Sequence, residues 1–342
     1  MTHKIVIVGD AYGEEDELAG KPFLGAAGHL LDELLTAVGL SKEDCLITNV
    51  FLARPYKGDI KNFFLKRPAF KKLGKPSPFP AYGAYGFCQP ELEHHVDALY
   101  KTIKEAKPNL IIALGSTALW ALTGEHGIAS YRGTILKSYT GHKTIPTYHP
   151  GAVLRDFSLR AAVFADLAKA NKEAAFPEIK VKEKKIWIAE QVKDLDLFYN
   201  LFIKKSDAFA FDIETNFHRR EITCISIAPT PNVSLVIPFA LKDGTSYWTN
   251  EDDEVACLLW LYKLFRDASK KKIAQNALYD LFYLTDYGIF PLGPVEDTML
   301  MHHTLQPELP KGLGYLASIY CNFPAWKMFR KTVQKDINKA DD

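Results

Sequence analysis

The 342-residue sequence contains no C-x-x-C pair, and its five cysteines (Cys45, Cys88, Cys224, Cys257 and Cys321) are odd in number and widely scattered. That excludes a disulfide framework and fits free thiols in a reducing cytosol. No apolar run reaches 18 residues and no signal-peptide pattern follows Met1, so neither a membrane nor a secreted fate is expected, and the cytoplasm is. No charge sign dominates. The net charge is +1, so any nucleic-acid surface has to be a local patch. There are no internal repeats, and no G-x-G-x-x-G for a dinucleotide. The remaining composition is that of a globular protein long enough for two domains of about 100–200 residues each.

The first half is organised around Gly9–Gly28, GDAYGEEDELAGKPFLGAAG. KIVIV before it is a continuous apolar run of the kind that makes a buried parallel strand. After it, Leu30, Leu31, Leu34, Leu35 and Val38 recur at helical spacing and Gly39 is a stop. The stretch therefore reads as a long loop at the carboxyl end of a buried strand, where open α/β sheets place ligand chemistry. A solvated loop accounts for the acids Glu14 to Glu17 but not for five glycines around Phe23.

CLITNVFL predicts a second buried strand ending near Asn49, and NLIIALG a third. Ser116 is then placed to cap a helix beginning near Thr117. KTIPTYHPG predicts a last strand running into His149-Pro150. With helices over 91–106 and SLRAAVFADLAKANKEA, a four-stranded parallel sheet with helices on both sides follows. Between 54 and 90, eight Lys and Arg interleave with Phe and Tyr, which suits phosphate contact and base stacking; a poorly packed insertion with a solvated face is the alternative.

Three motifs in this half resemble the uracil-DNA glycosylase superfamily, in its often iron–sulfur-bearing branch. They are Gly9–Gly28, Ile47-Thr48-Asn49-Val50 with Arg54-Pro55, and Thr147-Tyr148-His149-Pro150. Such an enzyme flips the base out of the stack and breaks a C–N bond through a cationic sugar and an anionic uracil. The resemblance implies Phe23 for stacking, Asn49 for the uracil edge, His149 for O2, and Asp10 for the water or the cation. It also implies Tyr12 to exclude the thymine methyl, Val153 or Leu154 as a DNA wedge, and Arg54 and Arg155 as DNA contacts. The branch holds its cluster through four cysteines. Here Ala53 stands at one ligand position and only Cys88 looks retained, so no iron–sulfur cluster is expected. A non-catalytic uracil-sensing or template-holding module is the competing expectation.

PEIKVKEKK (177–185) lacks apolar periodicity and reads as a linker. The first domain is then 1–176 and the second 186–342. The second opens with KIWIAE and a helix near Val192–Lys204. AFAFDIET is a strand, with ITCISIAP and SLVIPFAL as antiparallel neighbours. Helices are expected at 252–267, after the short strand KKIA, and over EDTMLMHHTL and GLGYLASIY.

Asp212 and Glu214 are spaced i, i+2, which puts both carboxylates on one face of a strand. Side by side they repel, and hard divalent cations answer that repulsion with oxygen coordination. Asn276 and Asp280 are four apart, one helical turn, so a further carboxylate could face the same metals. Tyr279 and Phe282 are expected in the core.

FDIET followed by QNALYD, with Asp297-Thr298, the helix ending at Tyr320 and Trp326-Lys327, resembles the 3′–5′ proofreading exonuclease domain of family A DNA polymerases, in the DEDD superfamily. The fold implied is α/β throughout: a parallel-sheet α/β/α domain, then an RNase H-like mixed-sheet domain. The activity implied is two-metal phosphodiester hydrolysis with two Mg²⁺ or Mn²⁺ ions on Asp212, Glu214 and Asp280, Asp212 bridging them. Asn276 would contact DNA. The family's later Tyr/His-x-x-x-Asp motif has no match before Asp342; Asp336, Asp341 and Asp342 lack its context, so either the chain is cut before that motif or the nuclease is impaired. The expectation is the amino-terminal part, or a separately encoded piece, of a phage-type polymerase. Its partners are single-stranded or primer-template DNA and a polymerase domain in cis or trans, in a bacterial host cytoplasm. An RNA-degrading enzyme is the remaining alternative.

Overall fold

The computed structural model describes residues 4–180, 183–216 and 218–321. Trp326, Lys327, Asp336, Asp341 and Asp342 lie outside them. The chain divides into two compact units: residues up to Ile179, rejoined from Gly314, and Lys180–Leu313.

In the first unit the main sheet is made of β1 (Ile5–Ala11), β2 (Cys45–Phe51), β3 (Leu110–Leu114), β4 (Leu136–Lys137) and β5 (Lys143–Thr147). The sheet order is β2-β1-β3-β5-β4. The first four in that order pair parallel, and β4 adds an antiparallel edge. The fifth strand was not expected; two residues are too short to carry a period, and a turn closed by Ser138 and His142 sets it. The apolar run of β1 is continuous because both its faces are covered. Val6 and Val8 pack with Trp120 and Ile103, and Ile5 and Ile7 with Leu31, Leu34 and Val163.

Five helices matter to the site: α1 (Glu14–Ala19), α2 (Ala26–Ala37), α3 (Glu93–Ala106), α4 (Ser116–Thr123) and α5 (Arg160–Glu173). The expected long loop thus contains a helix, α1, whose first turn consists of the four acids. Negative side chains at a helix N-terminus offset the macrodipole, so the acids promote a helix that has no apolar stripe. Ser116 is inside α4 rather than its cap. Gly115, at φ +96°, precedes the helix, and its first amides are satisfied from another strand.

The second unit holds β6 (Lys185–Ile188), β7 (Ala208–Asn216), β8 (Glu221–Thr230), β9 (Val233–Pro238), β10 (Lys271–Ala274) and β11 (Val295–Asp297). The order β11-β10-β7-β8-β9-β6 is a mixed sheet, antiparallel across β7-β8-β9 and parallel elsewhere. The amphipathic α6 (Glu251–Arg266) packs Leu261 and Phe265 against Phe209 and Phe211 of β7. Three more helices follow: α7 (Ala277–Asp286), α8 (Thr298–Leu305) and α9 (Leu313–Tyr320). The sequence groups α9 with the second domain, but from Gly314 it belongs to the first unit, where Arg132 Nη1 donates to Ser318 Oγ at 2.6 Å and Lys169 Nζ to the Ser318 carbonyl at 2.6 Å.

Candidate active sites

The carboxyl ends of β1, β2 and β5 bring Asp10, Asn49 and His149 to one edge of the first sheet. Asp10 follows β1's buried run, and its Oδ1 accepts the amides of Thr117 and Ala118, 3.2 Å each, at the start of α4. Burial pushes its pKa up, while His149 and those amides pull it back. A Cβ on Gly115 would lie 2.8 Å from Asp10 Oδ2, so only glycine lets the helix start approach this carboxylate.

His149 Nδ1 accepts the Gly151 amide at 3.0 Å. In a neutral imidazole the proton is then on Nε2, which becomes a donor. Burial holds the ring's pKa below its ordinary value, against the opposing pull of Asp10.

Asn49 pairs with Gly9 across β2 and β1. It is 2 % exposed, and both its amide atoms lack a hydrogen-bond partner. A buried amide left this way costs about 1–3 kcal/mol unless something completes it.

Phe23 stacks on His149 with centroids 5.5 Å apart and planes at 26°. Its backbone is left-handed, φ +59°, an outlier of the kind that clusters at ligand sites. Two features hold it there: Lys42 Nζ donates to the Phe23 carbonyl at 3.0 Å, and a Cβ on Gly28 would fall 1.9 Å from that oxygen.

Sequence reasoning missed Asp16. It is 8 % exposed, and its carboxylate accepts the amides of Gly13 (3.1 Å) and Leu24 (2.8 Å), tying both ends of the loop together. Its position three residues after the helix cap is the available signal.

The remaining expected residues are dispersed around this edge. Tyr12 donates its hydroxyl to the Gly20 carbonyl at 3.2 Å. Arg54 pairs with Glu14 at 2.9 Å. Val153 is corrected as a wedge: it is 1 % exposed and packs in the core, whereas Leu154 is 54 % exposed and Arg155 is exposed beside it.

In the second unit β7 alternates buried Phe209, Phe211 and Ile213 with exposed Asp212 and Glu214, so these two carboxylates share a face. Ser226 and Cys224 of β8 lie opposite them. The pairing of β10 with β7 reaches only Ile273 opposite Ala210. Beyond it the Ile213 amide donates instead to Asp280 Oδ1 at 2.9 Å. Asp280 is 3 % exposed; desolvation first, and then the charge of Asp212, push its pKa up to about 6 despite that amide.

Two expectations here are corrected. Asn276 is not one turn along a helix from Asp280; it precedes α7 in a left-handed conformation, φ +60°. Tyr279 and Phe282 are 42 % and 51 % exposed rather than core, because α7 buries only the side bearing Asp280, Tyr283 and Leu284.

Asp297, which the sequence argument left without a structural role, holds the turn. It accepts the amides of Asn276 (3.0 Å), Ala277 (2.8 Å) and Met299 (2.8 Å), fixing the start of both α7 and α8.

Among the described residues no three His, Cys, Asp or Glu side chains come together closely enough to hold a metal ion. The donors are nonetheless hard carboxylate oxygens, one of them buried and disfavoured as an anion by its neighbour. That set fits Mg²⁺ or Mn²⁺, which take one or two carboxylates and keep several waters.

Comparison with known proteins separates the same two parts. The uracil DNA glycosylase superfamily matches residues 2–175, and a 3'-5' exonuclease family matches residues 188–340. Type-4 uracil-DNA glycosylase of Thermotoga maritima is 34% identical over 172 residues, which cover 49% of this chain and 76% of that protein. The enzyme of the same name from Archaeoglobus fulgidus is 31% identical over 177 residues, with the same coverage. Among solved structures, Trypanosoma brucei RNase D overlaps 36% of this chain at 15% identity and a TM-score of 0.29; the overlap spans 40% of that chain. No helix among the described residues is long and apolar enough to cross a membrane.

Proposed function

The chain belongs to the uracil DNA glycosylase superfamily, with a 3'-5' exonuclease domain fused behind it, and on that basis we propose that it acts on DNA by two chemistries: uracil excision in the first domain and metal-dependent hydrolysis of the 3′-terminal phosphodiester in the second. The observation that carries the first is the buried Asn49 amide, whose donor and acceptor are both unused.

A flipped uracil presents an acceptor and a donor on its Watson–Crick edge, and one amide complements both. Phe23 supplies the stacking face. As the C–N bond breaks, charge develops on the uracil O2, and the Nε2–H of a neutral His149 is the donor for it. Asp10, held by two amides, stays beside the cationic sugar or orients the attacking water. Tyr12 restricts the site against a thymine methyl, Leu154 fills the space the base leaves, and Arg54 and Arg155 meet phosphates.

In the second domain, bound divalent ions would acidify a water and stabilise the departing 3′ oxygen. Asp212, Glu214 and Asp280 would hold them, and Asp297 keeps Asp280's helix in place. Exposed Asn276 is placed to meet the strand.

We attribute to the chain a role beside a phage-type family A polymerase, in cis or trans, because uracil surveillance and 3′-end trimming serve the same template. We also propose that it carries no iron–sulfur cluster. The glycosylase stretch has only two cysteines, both buried, and burial with Glu93 and Glu91 pushes the Cys88 thiol up to about 12, against the thiolate a cluster needs. Visible absorbance from purified protein would refute that.

The deciding experiment is a uracil-containing single strand incubated with the protein and with Asp10→Ala and His149→Ala. Base release by the wild type alone supports excision. DNA retained equally by all three with no base released supports a non-catalytic module.

A further inference from the structure

Segment 54–90 carries eight Lys and Arg against one acid, Asp59, a net +7 that leaves −6 for the rest of the chain. The structure sorts this segment by depth. Phe63, Phe64, Phe79 and Tyr82 are buried and pack around Trp120 and Phe51, and buried Phe70 packs on Phe87, so most of its aromatics build a small core rather than a stacking platform. Lys61, Lys66, Arg67, Lys71, Lys72 and Lys75 are all exposed. The rings left at the surface carry cations: Lys57 lies 5.4 Å from the ring of Tyr56, itself 70 % exposed, and Lys61 lies 5.6 Å from that of Tyr85. A field of one sign on a folded insertion repels itself, and a bound polyanion relieves that repulsion.

The insertion is also built into the wall of the pocket. It leaves β2 a few residues after Asn49, and the Ala53 carbonyl at its root accepts the Tyr12 amide at 3.2 Å. Pro80 accepts the indole N–H of Trp120 on α4 at 2.9 Å. The Tyr82 ring packs on Trp120 of the same helix, centroids 5.6 Å apart. A strand whose base enters at Asn49 would pass close to this insertion.

We propose that segment 54–90 is a sequence-independent track for the phosphate backbone of single-stranded DNA flanking the base held at Asn49, with Tyr56 and Tyr85 as its stacking positions. This rests on the glycosylase reading for the position of the base, but not for the binding itself.

The test uses the full chain and an oligonucleotide without uracil, so it does not depend on excision. The variant is Lys66→Ala, Arg67→Ala, Lys71→Ala and Lys72→Ala together. The control is Lys101→Ala, Lys104→Ala and Lys107→Ala, exposed cations on or just after α3. Affinity is measured by fluorescence anisotropy over a KCl series. For single strands each phosphate neutralised contributes about 0.7 to the slope of log K against log salt, so losing four cations should flatten it by about 3. Affinity at low salt should fall by more than tenfold, with the control close to wild type. An unchanged slope, or an equal loss in the control, would overturn the proposal, and the patch would then suit an acidic protein surface. Absence of excision by the wild type, with this slope change intact, faults the pocket reading alone.

Discussion

The Asn49 amide and the Phe23 ring meet over Gly9: a Cβ added there would lie 2.3 Å from Asn49 Oδ1 and 2.5 Å from Phe23 Cζ. The base-edge group and the stacking group therefore touch the same bare spot of backbone, and glycine is what lets them close. Gly9→Ala should move both. Overpacking of this kind costs about 1–3 kcal/mol, and uracil release should fall in parallel. A thermal melt and an excision assay on one preparation check it. Unchanged values in both would mean the two side chains are free to separate.

Asn49→Leu should separate stability from activity. Removing an unsatisfied buried amide in favour of an apolar side chain of similar shape is neutral or stabilising. Loss of a donor aimed at the reacting base costs about a hundredfold or more in rate. Denaturant unfolding should show no loss while single-turnover excision collapses. A destabilised protein would indicate that the amide has an internal partner.

The pH dependence of excision follows from His149. Its pKa is held below the ordinary 6.5 by burial, so the folded state prefers the neutral ring. The stability tied to that preference is complete above the unfolded value and is lost as pH falls through the lower folded one. Excision should stay flat from neutral pH down past 6.5 and drop only below it. An acid limb centred at or above 6.5 would contradict a neutral donor.

For Asp280 the sign is opposite. Its pKa rises from 3.8 to about 6 on folding, so the folded carboxyl binds its proton more tightly and stability declines as pH rises through that window. At about 1.4 kcal/mol per unit the loss is roughly 3 kcal/mol above pH 6. In chelator, Asp280→Asn, which keeps an acceptor for the Ile213 amide, should unfold at higher temperature than wild type at pH 7.5 and close to it at pH 4.5. Adding Mg²⁺ should stabilise the wild type selectively and abolish the gap. Equal melting at both pH values would show that the carboxylate pays no desolvation cost.

Much of this architecture was legible because burial on both faces writes itself as an unbroken apolar run. KIVIV, CLITNVFL and NLIIALG could be placed as strands on that basis alone, with Asp10 and Asn49 at the ends of the first two; His149 follows a separate strand, KTIPT. Asp212 and Glu214 could be put on one face because a strand's period of two is a local property.

Other features depended on partners distant in the chain. Nothing in adjacent apolar residues distinguishes Val153, which the core buries, from Leu154, which it does not. Ser116 looked like a cap, yet the amides of α4 are taken by Asp10, more than a hundred residues earlier. Asp280 is buried where β10 parts from β7, and that desolvation, with Asp212 beside it, raises its pKa against the opposing pull of the Ile213 amide. Spacing along the chain determines which residues can share a face. Which polar groups end up buried, paired or left open is decided by contacts across the fold, because desolvation depends on what is packed around an atom and not on its neighbours in sequence.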